Sequence, residues 1–519
     1  MHWAQNIANR LIQNDPSRQT FVCASGVSPS GSVHIGNFRE IATTYFVAKE
    51  LEKAGKRVRF IFSWDDFDRF RKVPKRIDPG FAAYIGMPYS EVPCPFGCHR
   101  SYAEHFEKEF EQALAAFRMK PEFIYQSREY ASKRYNPSIV HALKKRKEIY
   151  DILMDFKTGE ASEEQRESFF PVHVYCEACG KDTTVVQSFD ERTEKLTYRC
   201  ICGNRNELPV PEATNVKLHW KIDWPMRWSI EQVAFEPGGR DHSSETGSYN
   251  VSKVISESIF GNPPPFYVPY EFITMKGSHA KMSSSSGDNY TPADLLNVYA
   301  PEQLLFMFAK YRPDAAFHIG MDDDVLRTYA EYDRVRDAAA SESWSDEIKE
   351  ALELSRVTDT QEKTPRFGLV ASLLPLVNFD GTLLRDVLSR MGETYDPDRL
   401  ETVARRAEHW IRHWNPEKQI TVNANPNAAY YGTLSRTERE WVKAFRDLLE
   451  TGTIDEERLM SDIYAICRDE DKKTMRNNQK RLFRIVYRLV LSRDEGPRIP
   501  LLVQGVGPKK LQTLLDFRS

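Results

Sequence analysis

The sequence predicts an α/β chain. A doubly wound unit opens it, an inserted segment interrupts that unit, and a helical half closes it. Three features predict this. Strand-like and helix-like periods alternate over residues 20–63, a mixed texture carrying six of the eight cysteines runs from 94 to 212, and helical patterning dominates from about 291 onward.

In chain order, TFVCAS at 20–25 reads as a short buried strand. A turn follows, then FREIATTYFVAKELEKAG, where Phe38, Ile41, Tyr45, Ala48 and Leu51 recur at helical spacing and Gly55 is a natural stop. RVRFIFS reads as a second strand, which completes a strand–helix–strand unit. In such folds ligands bind where strands end and helices begin. Helical stretches such as SYAEHFEKEFEQALAAF mark 94–212 as an insertion. Sheet-like apolar runs return at 213–275, with FYVPYEFITM read as one strand, and the polar VTDTQEKTP at 357–365 reads as a linker into a C-terminal helical domain. There is no internal repeat and no low-complexity tract.

A chain of 519 residues, 41% hydrophobic and 12% aromatic, calls for two to four domains with sizeable cores. No run of eighteen apolar residues predicts a membrane span, and MHWAQNIANRLIQND lacks a signal pattern, so a cytoplasmic location is expected. Clustered cysteines in such a chain favour metal sites over disulfides, while Cys23 and Cys467 read as buried apolar residues. A net charge of −3 argues against a globally basic RNA binder and leaves local patches. One is Lys144, Lys145, Arg146 and Lys147; the other holds eight Lys or Arg between Asp471 and Arg493. Either one alone also reads as a solvated helix face.

Two motifs carry chemistry. After the first strand, Gly26-Val27-Ser28-Pro29-Ser30-Gly31-Ser32-Val33-His34-Ile35-Gly36-Asn37 sets three glycines before and inside a helix start. His34 and Asn37 share a face of the first turn, whose unpaired amides and positive dipole end suit phosphate. The plainer role for His34 is a helix cap. Far downstream, Lys281-Met282-Ser283-Ser284-Ser285-Ser286-Gly287 offers an ammonium and hydroxyls to phosphate oxygens, although such a loop alone reads as a flexible linker.

These two elements resemble the HIGH and KMSKS motifs of class I aminoacyl-tRNA synthetases. PSGSVHIGN and KMSSS, together with SWDDFDRFRKVP, resemble class I lysyl-tRNA synthetases over essentially the whole chain. The resemblance implies a Rossmann-type catalytic domain with a zinc-bearing insertion, followed by an all-α C-terminal anticodon-binding domain. The boundaries expected are catalytic halves at 1–93 and 213–290, an insertion contacting the acceptor end at 94–212, a stem-contact region at 291–356 and the anticodon-binding domain at 357–519. The implied reaction activates L-lysine with ATP and transfers it to the 2′-hydroxyl of the terminal adenosine of tRNA(Lys), with magnesium accompanying ATP. A monomer is expected.

His34, Asn37 and Lys281 are the implied catalytic residues. Pro29, Gly31, Gly36, Gly239, Asp241, Met282, Ser283 and Ser284 join them around ATP. Gly26, Ser28, Asp65, Trp220, His242 and Tyr270 are the implied lysine pocket. Two departures stand out: Asn37 replaces a second histidine, and Ser284 replaces the second loop lysine, leaving Lys281 with Lys276 upstream. Asp241, in the glycine-bearing run Glu236–His242, can accept from ribose hydroxyls or cap a helix. Asp65, Asp66 and Asp68 form an acidic cluster suited to a cationic substrate, or one balanced by Arg69 and Arg71.

Cys176 and Cys179, with Cys200 and Cys202 beyond a hairpin-like stretch, make a closed four-thiolate zinc site of structural type. Cys94, Cys98, His99 and His105 form a second candidate set, or a cysteine-bearing loop with surface histidines. In the C-terminal half, Leu482, Val486, Leu489 and Val490 make one helix face and Arg481, Arg484 and Arg488 another, suited to a phosphate backbone. The competing readings are a class I glutamate enzyme, whose pocket would need cations, a shorter nucleotidylyltransferase, and a non-catalytic RNA-binding relative.

Overall fold

The computed structural model describes residues 1–157, 162–277, 290–338, 344–358, 363–451 and 456–517. Its strands are β1 (Thr20–Val27), β2 (Arg57–Trp64), β3 (Glu122–Tyr125), β4 (Val172–Val174), β5 (Thr184–Asp190), β6 (Lys195–Cys200), β7 (Arg205–Pro209), β8 (Val216–Leu218), β9 (Val233–Gly239), β10 (Phe266–Tyr270), β11 (Ile273–Met275) and β12 (Phe317–Ile319). The central sheet has the order β10-β9-β1-β2-β3, with every neighbouring pair parallel. Parallel strands are covered on both faces, which is why β1 reads as an unbroken apolar run. Val22 and Ala24 pack with Ile61, Ile124, Val233, Trp224 and Trp228 on one face. Strand alternation turns Phe21 and Cys23 to the other.

The helix Ile35–Lys53 follows β1 and is capped by His34, whose Nδ1 accepts from the Asn37 N–H at 3.2 Å. Phe38, Ile41 and Leu51 are fully buried and Ala48 nearly so, while Gly55 closes the helix at φ 77°. The periodicity reading holds there, except that Tyr45 is only partly buried.

The expected insertion differs in two ways. Glu122–Tyr125, inside 94–212, forms the edge strand β3 of the central sheet, so the change of texture at residue 94 does not separate sheet from insertion. A four-residue strand flanked by helices is too short to show a period. Beyond it, β4 pairs antiparallel with β8, and β5-β6-β7 form an antiparallel meander. The run FYVPYEFITM is not one strand. β10 ends at Tyr270, Glu271 donates its N–H to the Pro313 carbonyl at 2.8 Å, and β11 pairs with β12 in a separate two-stranded sheet.

The chain divides into two compact units, Met1–Leu296 with Ala300–Ile319 and Val335–Asp359, and Asn297–Tyr299 with Gly320–Arg334 and Thr360–Ser519. Residues 291–356 thus contribute to both. The described residues of the second unit are helical and carry no strand. Its core includes Trp410, which donates Nε1–H to the Met321 carbonyl at 2.9 Å, and Phe367 stacked on Tyr329. In the helix Lys472–Leu491, the predicted apolar face of Leu482, Val486, Leu489 and Val490 is fully buried. No single described helix is long and apolar enough to cross a membrane.

Candidate active site and metal centres

The strand order reverses at β1 and β9, so their carboxyl ends diverge and open a crevice. A cavity of about 480 Å³ lies there. It brings together Gly26, Ser28, His34, Gly36, Asn37, Asp65, Trp220, Asp241, His242 and Tyr270 from the residues singled out in the sequence. Pro29, Gly31 and Gly239 are not on its wall. Lys281, Met282, Ser283 and Ser284 lie outside the described residues. Downstream of them, Tyr290 accepts the Ile35 N–H at 2.8 Å, so the chain returns to the first turn of the His34 helix.

Gly26 has a steric reason. A Cβ there would sit 2.8 Å from the backbone oxygen of Ser63 on β2. His34 caps the helix and also lines the cavity, so the two roles weighed for it coexist. The Asn37 Oδ1 is buried without a partner among the described residues, as a ligand-facing acceptor would be.

The acidic cluster is balanced differently from the sequence expectation. Asp65 accepts from Arg227 at 2.5 Å, Asp68 pairs with Lys217 at 3.0 Å, and Asp66 accepts from the N–H and hydroxyl of Ser127. Arg227 and Lys217 both reach on to Asp223, which also accepts from the Tyr130 hydroxyl. Arg69 turns instead to Asp182 at 3.4 Å. The balancing cations come from 149 or more residues away because β8 and the following helix, Trp220–Glu231, fold back beside β2. Burial pushes the Asp65 carboxyl up. For Asp68 burial acts the same way, but the Lys217 ammonium outweighs it and holds the carboxyl below its ordinary range.

Two carboxylates that the sequence reading left without a role line the same cavity. Glu40 accepts from the Gly26 N–H at 2.9 Å and the Tyr270 hydroxyl at 2.8 Å, and burial pushes it up to about 8. Glu236 accepts from Trp228 Nε1–H at 2.6 Å, and burial pushes it up to about 7. Neither forms an ion pair among the described residues. The available signal for Glu40 is its spacing, three residues beyond Asn37 on the same helix face. For Glu236 it is the unusual charge in the middle of a buried strand. Trp220 stacks on Trp224, ring centroids 5.1 Å apart, to form a flat apolar wall with His242 at its edge. Gly238 is required because a Cβ there would collide with the Tyr267 ring.

Both cysteine clusters assemble, and each could hold a metal ion. The ligand atoms of Cys176, Cys179, Cys200 and Cys202 lie within 4.8 Å of one another, as do those of Cys94, Cys98, His99 and His105. The Sγ atoms of Cys176 and Cys202, and of Cys179 and Cys200, are 3.7 Å apart. A tetrahedron of thiolates around zinc has an edge of about 3.8 Å. Gly180 and Gly203 take φ 71° and 94° just past each pair, a left-handed turn that glycine adopts at little cost. In the second cluster Gly97 takes φ 68°, and the neighbours Cys98 and His99 both turn inward.

A family model described as tRNA synthetases class I (K) matches residues 1–360. A protein of Treponema pallidum named lysine–tRNA ligase is 35% identical, over 99% of this chain and 98% of its own. Its namesakes in Streptomyces coelicolor and Pyrococcus horikoshii are 33% and 31% identical, over 99% and 96% of this chain and 98% and 96% of their own.

Proposed function

The chain belongs to the class I (K) tRNA synthetases, and we propose from that premise that it is a lysine–tRNA ligase. It activates L-lysine with ATP to lysyl-adenylate and pyrophosphate, then transfers the lysyl group to the 2′-hydroxyl of the terminal adenosine of tRNA(Lys). The observation that carries the substrate choice is the cavity itself, where Glu40 and Glu236 form no ion pair among the described residues and stand beside a stacked tryptophan wall.

A lysine side chain needs acceptors for its ammonium and apolar faces for its stem. Glu40 and Glu236 supply the first, and Trp220 and Trp224 the second, with cation–π attraction added. Asp65 is already occupied by Arg227 and sets the pocket's shape and field from behind. Once these carboxyls ionise, a glutamate side chain would meet them as a like charge. Gly26, Ser28, His242 and Tyr270 complete the amino-acid site.

His34, Gly36 and Asn37 present ATP with the first helical turn, whose free amides and dipole favour its phosphates. Asp241 takes the ribose hydroxyls, and Pro29, Gly31 and Gly239 shape the approach. The lysine carboxylate attacks the α-phosphorus and pyrophosphate leaves. Negative charge grows on the leaving group, and Lys281, with Met282, Ser283 and Ser284, is assigned to meet it. The 2′-hydroxyl then attacks the acyl carbon and AMP leaves.

The thiolates of Cys176, Cys179, Cys200 and Cys202 would hold a structural zinc with no open position, and Cys94, Cys98, His99 and His105 a second. Magnesium accompanies ATP. The 94–212 segment, apart from β3, serves the acceptor end, 291–356 the stem and 357–519 the anticodon. The chain works as a cytoplasmic monomer.

The test is ATP–pyrophosphate exchange with tRNA present, across lysine, arginine, ornithine and glutamate. Lysine should exceed the rest. A preference for glutamate overturns the reading.

A further inference from the structure

One strongly charged segment has no part in the chemistry above. Between residues 69 and 76 stand Arg69, Arg71, Lys72, Lys75 and Arg76, with no acid among them, and all five are exposed. The segment is held at its start. Arg69 bridges to Pro88, the Phe70 N–H donates to the Met87 carbonyl at 2.7 Å, and the Gly86 N–H donates to the Phe70 carbonyl at 3.0 Å. Phe70 is fully buried against the rings of Tyr89 and Tyr102. In extended backbone the residues on either side of it face the opposite way. Arg69 and Arg71 therefore turn away from that core together, and both line the cavity that holds Ser28 and Asp68. Lys72, Lys75 and Arg76 carry the charge on past the cavity wall. His173 and Asp182 of the insertion line the same cavity, and Asp182 pairs with Arg69.

We infer that the basic strap Arg69–Arg76 tracks the phosphates of the single-stranded 3′ end of a tRNA and steers its terminal adenosine into the cavity. This rests on the lysine–tRNA ligase reading, which requires a polyanionic strand to reach the lysyl-adenylate from outside. Exposed cations that continue along the chain from two on the cavity wall suit a strand of linked phosphates. ATP seated inside the cavity would meet only its first members. Arg71 is the inner guide, and Lys72 and Lys75 the outer ones.

The test compares two RNAs, the full tRNA(Lys) transcript and one lacking its four 3′-terminal nucleotides, in equilibrium binding to the full chain over a range of salt. Arg71→Ala should weaken the full transcript about tenfold and flatten its log–log salt slope by about 0.7, the loss of one single-strand phosphate contact. The truncated transcript should change less than about twofold. The double variant Lys72→Ala/Lys75→Ala, at exposed positions where folding is not at stake, should act in the same sense. Equal losses on the two transcripts would place the strap on another part of the RNA and overturn the inference. So would unchanged RNA affinity with a raised KM for ATP, which would give these cations to the nucleotide. Should the wild-type chain charge an amino acid other than lysine, the functional reading fails. The same binding experiment, run with the cognate transcript, then still decides the strap.

Discussion

The Tyr270 hydroxyl donates to Glu40 at 2.8 Å, joining the end of β10 to the helix that starts at His34. The other oxygen of Glu40 holds the Gly26 N–H, so one carboxylate ties three elements around the amino-acid end of the cavity. Burial pushes that carboxyl up to about 8. In the native chain it therefore keeps its proton over a range where the unfolded chain, with an ordinary carboxyl near 4.5, has lost it. The stability contributed is present below the unfolded value and is lost as pH rises through about 8. Glu40→Gln should remove this slope, measured as urea midpoints from pH 5 to pH 9. Affinity for a cation runs the other way. The KM for lysine should fall as pH rises towards 8, and Glu40→Gln should raise KM and flatten the profile. A Gln variant with the wild-type pH profile would remove Glu40 from the lysine site.

Arg227 lies between Asp65 and Asp223 in the interior. Arg227→Met keeps volume but leaves the buried Asp65 without its paired cation and Asp223 with Lys217 alone. A loss of about 3–5 kcal/mol is expected in chemical denaturation, as for removing one partner of a buried ion pair. A loss near zero would mean that the carboxylates take up protons at little cost.

Elemental analysis should find at least one zinc per chain, and two if Cys94, Cys98, His99 and His105 bind. Cys176→Ser should lower stability and alter the insertion before it touches ATP binding. Metal-free protein that stays folded and active would refute the structural role.

Lys281→Ala should slow single-turnover adenylate formation by about 10²-fold, roughly 3 kcal/mol, as for loss of one oriented transition-state donor. The KM for lysine should change much less. Lys276→Ala, beside the loop, should be mild. Near-normal activation by Lys281→Ala would place the cation elsewhere.

The arginine face of the helix Lys472–Leu491 is not uniform. Arg481 pairs with Glu438 at 2.7 Å and Arg488 with Asp494 at 2.6 Å, while Arg484 is exposed. Arg484→Ala should therefore weaken tRNA binding and its salt dependence more than Arg488→Ala, whose ion pair must first be broken. The reverse order would mean that the pairs open on RNA.

The sequence by itself determined what is local. Apolar residues every three or four positions marked the helix at 35–53, an unbroken apolar run marked β1, and closely spaced cysteines marked the two candidate metal clusters. The runs PSGSVHIGN and KMSSS marked the family by resemblance. For the helix, the strand and each cysteine pair, the signal and its consequence lie within a few residues, where backbone geometry fixes the neighbours.

Which distant groups meet is a property of the folded chain. Asp65 and Arg227 are 162 residues apart, and nothing in the run DDFDRFR indicates that Asp65 and Asp68 are neutralised by Arg227 and Lys217 rather than by the arginines next door. Glu40 reads as one more polar position on a helix until β10 brings Tyr270 against it. β3 is too short to show a period, and FYVPYEFITM breaks because Glu271 finds a backbone partner on another segment. Sequence periods record which face of an element is buried. The partner on that face is set by the order of strands in the sheet, which depends on how the whole chain closes.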